Sequence, residues 1–485
     1  MSDRTAIWWI RRDLRLRDNQ ALQAALEHGA QVIPLFILDP RLWASDYVGP
    51  KRLTFLIDGL RHLDNALREK GSRLILRRGE PASVLSAVIE ETGATAIFSE
   101  EDISPFARKR DARVGKTLPL KLTSGLTVQP IGLIRKKNGQ PYTVFTPFSK
   151  AWRGLAMPQG EDILEAPASI FTSGDIESLA IPSSPYEPVS DFPAGEGEAL
   201  KRLRRFTAID NGAIYEYELQ RNVPAEGGTS QLSPYLRFGM VSARETAVAA
   251  LKAIGRAPSA AEKKGADIWL NELIWREFFI NILYHFPRVR QGNFNKKYDK
   301  IEWINDYDLL MAWQEGRTGY PIVDAAMRQL VQSGWMHNRT RMITASFLVK
   351  DLLIDWRLGE AWFMQHLLDG DPAANNGGWQ WTAGTGTDAA PYFRIFNPVT
   401  QSKKFDPRGT YIKRWLPELS AVPVKYIHEP WLMPPEVQAQ VRCTIDPPHP
   451  NGLQNSVGTS YPAPIVDHAQ ARKRTLAVYK SAPDP

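Results

Sequence analysis

The sequence predicts two different folds in one chain: an α/β domain with a parallel sheet, then a larger all-helical domain. Residues 1–132 alternate short apolar runs with amphipathic helical patterns, which is typical of a doubly wound, Rossmann-like sheet. Across residues 198–485, helical periodicity dominates and strand-like alternation is scarce. Residues 133–197 are predicted to form a long linker, because most of this stretch is rich in Pro, Ser, Gly and Glu.

Strands and helices of the first domain can be placed individually. Two helices are predicted from DNQALQAALEHG, which starts with a capping residue and stops at Gly29, and from KRLTFLIDGLRHLDNALREKG, which stops at Gly71. The turn after the first strand contains RRDLRLRDN rather than G-x-G-x-x-G, so an ordinary dinucleotide site is not expected there. The predicted buried strands are AIWWI (6–10), VIPLFIL (32–38), RLIL (73–76) and TAIF (95–98).

Composition limits the possible functions. A chain of 485 residues is long for a single core, and its net charge of +7 permits a polyanionic partner. The single cysteine, Cys443, excludes a disulfide framework and cysteine-type zinc sites, and no metal site is predicted. No apolar run reaches the ~18 residues that span a bilayer, and no signal peptide is evident. We therefore expect a cytoplasmic protein without a membrane partner, associated with the nucleoid if the source is prokaryotic.

The most informative stretch is DGDPAANNGGWQWTAGTGTDAAPYFRIFNP, residues 369–398. Two glycines precede Trp379 and Trp381, an arrangement that lets the backbone pass close to a flat ligand. Taken alone, the same pattern fits a buried tryptophan cluster closed by a glycine turn.

Several separate motifs together resemble the photolyase/cryptochrome family, and most closely its class I cyclobutane pyrimidine dimer photolyases. The resemblance implies a helical FAD-binding domain and repair of DNA by an electron from photoexcited reduced FAD to a flipped-out dimer. The motifs are RRDLRLRDN, YTVFTPFSKAW, WLNELIWREF, TGYPIVDAAMRQL, ASFLVKDLLIDWR and NNGGWQW.

The flavin site is predicted from three segments. In GGTSQLS (227–233), hydroxyls and free backbone N–H groups after two glycines suit a pyrophosphate, although an ordinary helix cap has the same pattern. The resemblance implies FAD contacts from Tyr217, Thr229, Ser230, Gln231, Leu232, Ser233, Trp269, Arg276, Arg341, Asp369, Gly370, Asp371 and Asn375.

The dimer site is predicted from two helical segments. In WLNELIWREFF, helical spacing places Trp269, Glu272 and Trp275 on one face, as it also would in an ordinary amphipathic core helix. In GWMHNRTRM, Asn338 and Met342 are four residues apart, and Asn338 stands where six-four photolyases complete a histidine pair. The resemblance implies catalytic contacts from Glu272, Trp275, Asn338, Met342 and Trp381, with Glu272 protonated by a raised pKa.

Two further sets are implied by the resemblance. DNA contacts are expected from Arg221, Trp275, Asn338, Arg339, Trp381 and Gln401. Trp303, Trp356 and Trp379 match an electron-transfer chain, although core packing would explain any one of them.

Alternatives remain at the level of function and antenna. Asn375 stands at the position facing flavin N5, where plant cryptochromes carry Asp and insect ones Cys, so it favours a photolyase over a signalling cryptochrome. A dark flavin oxidoreductase lacks support, because no nicotinamide fingerprint is present. Pro105 and Phe106 replace an Asn-Glu pair of folate-type relatives, which favours a deazaflavin or flavin antenna over methenyltetrahydrofolate, with Arg52 and Asp102 as candidate pocket residues. A monomer is expected.

Overall fold

The structure is a computed structural model that describes residues 4–173, 175–447 and 460–482. Its contacts divide the chain into two compact units. The first unit comprises Met1–Glu218, Thr229–Pro287 and Leu368–Ala374, and the second comprises Leu219–Gly228, Arg288–Leu367 and Asn375–Pro485. Each unit is therefore assembled from separated stretches of sequence. The domain boundaries at 132 and 197 come from composition and periodicity, and they stay predictions.

A parallel five-stranded sheet forms the centre of the first unit, in the order β3-β2-β1-β4-β5. This confirms the doubly wound α/β prediction. RLIL is displaced by two residues in the observed strand, and β5 was missed because its alternating, largely exposed residues make a short and weak pattern. The strands are β1 Thr5–Ile10, β2 Gln31–Leu38, β3 Ile75–Arg78, β4 Ala96–Glu100 and β5 Leu120–Thr123.

The sheet is covered by apolar packing that explains its continuous hydrophobic strands. Ile7, Ile33, Ile75 and Ile97 are buried in one core cluster, as expected for parallel strands protected on both faces. The first predicted helix begins where Asn19 accepts a hydrogen bond from the Leu22 N–H at 2.9 Å.

Helices occupy most of the remaining described chain. In the first half they are α1 Gln20–His28, α2 Pro40–Trp43, α3 Pro50–Glu69, α4 Pro81–Thr92, α5 Pro105–Val114, α6 Phe145–Arg153, α7 Glu196–Phe206, α8 Tyr217–Gln220, α9 Ser233–Arg237 and α10 Ala243–Arg256. In the second half they are α11 Ala260–His285, α12 Tyr307–Gln314, α13 Pro321–Ser333, α14 Asn338–Ser346, α15 Trp356–His366, α16 Pro372–Ala383, α17 Pro398–Phe405, α18 Thr410–Trp415, α19 Pro435–Val441 and α20 His468–Ser481. A π-helical turn, Phe347–Asp351, follows α14 directly.

The predicted linker is only partly irregular. Helix α6 lies inside it, and between α6 and α7 the described residues contain one short helical turn, Gly160–Asp162. Part of the rest is fixed to the sheet, since Phe171 O accepts from the Val32 N–H and the Leu179 N–H donates to Leu76 O, both at 2.9 Å. The predicted linker is therefore part of the first unit.

Where the structure describes it, the second unit is helical, as predicted, apart from one short pair of parallel strands, β6 Thr444–Asp446 and β7 Ser460–Pro462. The predicted last helix is confirmed as α20, which begins after Asp467. It is held by hydrogen bonds from Tyr479 Oη to Ala383 O at 2.8 Å and between His468 Nδ1 and Asp351 Oδ1 at 2.5 Å. Among the described residues, no helix combines the length and apolar character needed to cross a membrane.

Candidate functional site

The predicted site residues are distributed over both units. The first unit contains Tyr217, Thr229, Ser230, Gln231, Leu232, Ser233, Trp269, Glu272, Trp275, Arg276, Asp369, Gly370 and Asp371. The second contains Arg221, Trp303, Asn338, Arg339, Arg341, Met342, Trp356, Asn375, Trp379, Trp381 and Gln401.

The segment 229–233 presents polar groups that the protein itself leaves unused. Within the described residues, no hydrogen bond from a protein group is recorded for the hydroxyls of Thr229, Ser230 and Ser233. Gln231 adopts a positive φ of 52°, and its side-chain oxygen accepts from Arg202 at 3.1 Å. The segment is therefore held in an uncommon backbone conformation with its hydroxyls available.

Helix α11 carries four of the predicted residues on one continuous element of 26 residues. Trp269 is buried, with its ring centroid 5.0 Å from that of Phe206. Arg276 donates to the Leu126 carbonyl at 2.9 Å, and burial lowers its pKa. Both residues are thus fixed by neighbours rather than by the helix alone.

Trp275 and Glu277 make contacts that the sequence patterns did not indicate. The Trp275 ring lies parallel to that of Phe145, with centroids 3.7 Å apart and 3° between the planes. Glu277 accepts from Trp152 Nε1 at 2.6 Å and from the Val128 N–H, and burial raises its pKa to about 7. YTVFTPFSKAW supplied the only signal for Phe145 and Trp152, and it was noted as a family motif without assigned roles.

The DGD turn is built around the carboxylate of Asp371. It bonds to Arg12 Nη2 at 2.7 Å and accepts from the Ala373 N–H at 2.8 Å, so it also caps α16. Burial opposes this charge, but Arg12 and Arg237 outweigh it and hold the pKa of Asp371 well below its usual range. The Gly370 carbonyl accepts from Arg237 Nε at 2.8 Å.

Arg12 and Arg237 were both missed as site residues. The basic run RRDLRLRDN pointed to Arg12, but its partner could not be identified because 359 positions separate it from Asp371. Burial and the nearby Arg12 lower the pKa of Arg237 to about 9. Its Nη1 is buried and has no protein partner among the described residues.

In the second unit, α14 brings Asn338 and Met342 together as the four-residue spacing predicted, with Asn338 Nδ2 4.0 Å from the Met342 sulfur. His337 caps this helix, accepting from the Arg339 N–H at 3.1 Å through Nδ1. Burial, with Arg339 close by, lowers the pKa of His337 to about 3. The imidazole is therefore neutral at physiological pH, and its first role is structural.

One of the predicted DNA-binding arginines, Arg339, is held in place by Asn222 and Phe405. Arg339 donates twice to Asn222 Oδ1, at 3.2 and 2.7 Å, and its guanidinium lies 4.4 Å from the Phe405 ring centroid. Arg221 is close enough to help lower the pKa of Arg339 after burial. The two guanidinium groups therefore lie in one electrostatic neighbourhood.

Asn375 and Arg341 are fixed by backbone carbonyls. Asn375 Nδ2 donates to Glu360 O at 3.0 Å, and Arg341 Nε donates to Met336 O at 2.8 Å. Trp381 is half-buried, and its carbonyl accepts from the N–H groups of Gly384 and Ala390 at 3.2 and 3.1 Å. Gln401 lies on α17, and its backbone N–H donates to the carbonyl of Asn397, the capping residue of that helix.

The three candidate electron-transfer tryptophans have different surroundings. Trp379 is buried against Phe363 and Trp313, at centroid distances of 4.9 and 6.1 Å. A Cβ on Gly359 would come within 2.1 Å of the Trp379 ring, so this position requires glycine. Trp356 donates through Nε1 to Asn293 at 2.8 Å.

Trp303 packs against two core clusters, one that contains Trp356 and Trp379 and one that contains Tyr479. It is half-buried, and its centroid is 6.3 Å from that of Tyr479 in an edge-to-face arrangement. Among the ring contacts recorded for the described residues, none joins one of the three tryptophans directly to another. Their role as a chain stays a prediction.

Family models match both parts of the chain. The model described as "DNA photolyase" matches residues 6–168, and the "FAD binding domain of DNA photolyase" matches residues 269–481. The chain is 43% identical over 492 residues to a deoxyribodipyrimidine photo-lyase of Escherichia coli, covering 99% of each chain. It is 40% identical over 494 residues to the Synechococcus enzyme of the same name, covering 98% of this chain and 96% of that one.

Solved structures agree with this match. A class III photolyase from Agrobacterium tumefaciens superimposes with a TM-score of 0.89 and 38% identity, covering 99% of this chain and 98% of that one. An archaeal photolyase from Sulfolobus tokodaii, solved with two FAD molecules, has a TM-score of 0.81 and 34% identity, covering 98% of this chain and 99% of that one. A Synechocystis cryptochrome has a TM-score of 0.84 and 29% identity, covering 98% of this chain and 99% of that one.

The fold and the matched segments thus define a flavoprotein with a photolyase-type FAD-binding domain. The chain belongs to the photolyase/cryptochrome family, and its full-length relatives place it with the cyclobutane pyrimidine dimer photolyases.

Proposed function

We infer that the protein is a deoxyribodipyrimidine photo-lyase, an enzyme that uses light to split cyclobutane pyrimidine dimers in DNA. The observation that carries this inference is the 43% identity to the Escherichia coli enzyme over 99% of both chains. Conservation of fold alone would not fix the activity, but the similarity here extends over the whole length of the chain.

FAD fits the residues of the first unit. The unused hydroxyls of Thr229, Ser230 and Ser233 are donors suited to phosphate oxygens. The unpartnered Nη1 of Arg237 adds a cationic donor to the same unit. We propose that these groups hold FAD together with the other cofactor residues implied by the family, and that Trp269 and Asn375 contact its rings. When bound and reduced, FAD supplies the photoexcited electron for repair.

The protein's own side chains are proposed to bind and orient the dimer. Trp275 and Trp381 stack on the flipped-out bases, an interaction worth about 1–3 kcal/mol per base. Glu272 and Asn338 donate hydrogen bonds to the base edges, which requires Glu272 to be protonated. Met342 contacts the dimer beside Asn338, a placement supported by their 4.0 Å approach on α14.

DNA outside the dimer is proposed to be held through its backbone. Arg221, Arg339 and Gln401 make phosphate contacts that are independent of sequence. The lowered pKa of Arg339, caused by burial and by the nearby Arg221, supports this, because a phosphate would relieve the repulsion between the two guanidinium groups. Lys403 is less suited to the same role, since its ammonium is paired with Glu429 at 2.5 Å. The enzyme is proposed to act as a monomer.

A second chromophore is proposed in the first unit, with a deazaflavin or flavin favoured over methenyltetrahydrofolate. The sheet order reverses between β1 and β4, and ligands commonly bind outside the carboxyl ends of strands at such a point. Asp102 follows β4 there and lies 3.5 Å from Arg12. Release of the bound chromophores by denaturation, followed by chromatography against deazaflavin, FMN, FAD and folate standards, identifies the antenna.

The repair assignment has a direct test. The purified protein is expected to hold about one FAD per chain and to remove dimers from an irradiated oligonucleotide under blue light but not in the dark. The matched control is the same reduced enzyme and substrate kept in red light. Loss of dimers in the dark, or no loss under blue light with FAD bound and reduced, contradicts the assignment.

A further inference from the structure

The face-to-face pair formed by Phe145 and Trp275 is unusual among the aromatic contacts of the first unit. The centroid separation of 3.7 Å and interplanar angle of 3° place one ring flat on the other, whereas aromatic pairs commonly prefer offset or edge-to-face geometry at 4.5–7 Å. One face of the indole is thereby covered by a phenyl ring. Trp275 still keeps intermediate exposure, so part of its surface is available to a ligand.

The partner ring is presented by a helix that is anchored along its whole length. Phe145 is the first residue of α6. Further along this helix, the Phe148 ring lies 5.3 Å from that of Phe278, and Trp152 Nε1 bonds to Glu277 at 2.6 Å. At its last residue, Arg153 Nη1 bonds to Asp267 at 2.9 Å.

All these anchors for α6 are on α11, the helix that also carries Trp275. The two helices therefore act as one rigid support, and the phenyl ring of Phe145 restricts rotation of the indole about its side-chain torsions. The edge-to-face contact of Phe278 with Trp275, at a centroid distance of 5.6 Å, restricts it from another direction. An indole held in one plane loses less conformational freedom when a base stacks on it.

We propose that Phe145 is a positioning residue for substrate binding: it backs one face of Trp275 and so fixes the indole plane on which a pyrimidine of the dimer stacks. This inference rests on the proposed contact between Trp275 and the dimer. It assigns to α6 a role in recognising damage, separate from the residues that touch the lesion.

The test compares Phe145→Leu with Phe145→Tyr, which keeps the aromatic ring, and with Val144→Ala, an exposed neighbour on the same turn. Dissociation constants are measured in the dark for irradiated and plain oligonucleotides. Phe145→Leu is expected to weaken binding of irradiated DNA by about three- to tenfold and to leave binding of plain DNA within about twofold. Phe145→Tyr and Val144→Ala are expected to bind like the wild type.

Repair kinetics separate positioning from general damage to the fold. Under constant blue light, Phe145→Leu is expected to raise KM for irradiated DNA with kcat nearly unchanged, since loss of preorganisation is a binding effect. FAD content and Tm of each variant are recorded alongside. If Phe145→Leu lowers FAD content, Phe145→Met, which keeps the volume closer, replaces it in the same comparison.

A double-mutant cycle with Trp275→Ala distinguishes this inference from the proposed function. Phe145→Leu is expected to cost nothing further in the Trp275→Ala background. If Trp275→Ala loses damage discrimination while Phe145→Leu keeps it, the positioning role is wrong and the function stands. The positioning role is also wrong if Phe145→Leu weakens both DNAs equally. If Trp275→Ala itself keeps discrimination, the proposed contact between Trp275 and the dimer fails.

Discussion

Arg12 and Asp371, 359 positions apart in the sequence, form an ion pair with 2.7 Å between Nη2 and Oδ2. The pair joins the turn after the first strand to the DGD turn before α16 within a single unit. Arg237 reinforces it, because its Nε lies 3.9 Å from the same carboxylate oxygen.

Replacement of Asp371 by Asn is expected to destabilise the protein by about 1–3 kcal/mol, because Arg237 then loses its carboxylate partner and Arg12 loses the nearer of its two. The folded pKa of Asp371 is depressed, so its contribution is full above the unfolded carboxyl pKa of about 3.9 and is lost as pH falls below it. Denaturant unfolding at pH 7 and thermal unfolding between pH 3 and 7 measure both effects. Asp46→Asn, at an exposed carboxylate, is the control, and an equal loss in both variants contradicts the prediction.

The buried His337 also predicts that stability depends on pH. Here the folded state disfavours the charged form of the group, whereas it favours the charged form of Asp371. The pKa of His337 falls from 6.5 to about 3 on folding, so between these values the unfolded state binds the proton and the folded state does not. Stability is therefore lost as pH falls below 6.5, by about 1.4 kcal/mol for each pH unit from this group alone. His337→Asn, which can still cap α14, is expected to flatten the fall of Tm from pH 6.5 to 4.5. An unchanged slope would mean that the group titrates normally.

Trp379→Phe is expected to block photoreduction of oxidised FAD while chemically reduced enzyme still repairs dimers. The residue matches the flavin-proximal tryptophan of the family, and Phe is harder to oxidise than Trp. Trp313→Phe is a matched control, since this indole is 6.1 Å away in the same buried cluster. Absorbance under blue light with an external reductant measures the rate. Equal rates in both variants would assign Trp379 to packing.

Asn375→Asp is expected to destabilise the reduced anionic flavin, because a carboxylate near N5 repels it or takes up a proton. The change also removes the hydrogen bond to Glu360 O. Asn376→Asp controls for that loss, since Asn376 Nδ2 donates in the same way to Val289 O at 3.0 Å. Redox titration should show a lower potential in the first variant only. The same reduction potential in both variants would mean that Asn375 does not face the flavin ring.

Arg339→Ala and Glu272→Ala are expected to affect DNA binding differently. Arg339→Ala should weaken irradiated and plain DNA alike and reduce the slope of log K against log salt by about 0.9, as for loss of one phosphate contact. Glu272→Ala should reduce repair and damage discrimination while plain DNA binds nearly as before. Binding at four salt concentrations, with dimer loss under light, provides both measurements. Matching profiles for the two variants would contradict their separate roles.

Local patterns predicted the local features of the molecule well. Helix periodicity located α11 and α20, and the spacing of Asn338 and Met342 correctly predicted their contact. Contacts between residues far apart in the sequence could not be predicted from such local patterns. Nothing near RRDLRLRDN identifies Asp371, and nothing near VFTPF shows that Phe145 stacks on Trp275, since these contacts arise only after the chain has folded.

The edge strand β5 and the pair β6 and β7 were missed for another reason. Each has three or four residues, too few for an alternation to stand out from irregular chain. The predicted linker contained a helix for a similar reason: α6 has nine residues and begins without a side-chain cap, so its pattern is weak.

The interleaving of the two units has a consequence for biosynthesis. Because Leu368–Ala374 belongs to the first unit, a ribosome must translate 374 of the 485 residues before that unit has all its parts. Until Asp371 emerges, Arg12 and Arg237 on the nascent chain lack the anion that later neutralises them. A gene fragment ending at residue 287 would leave both arginines without Asp371 permanently, and one ending at residue 197 would leave Arg12 without it, so either fragment should yield an incompletely folded product.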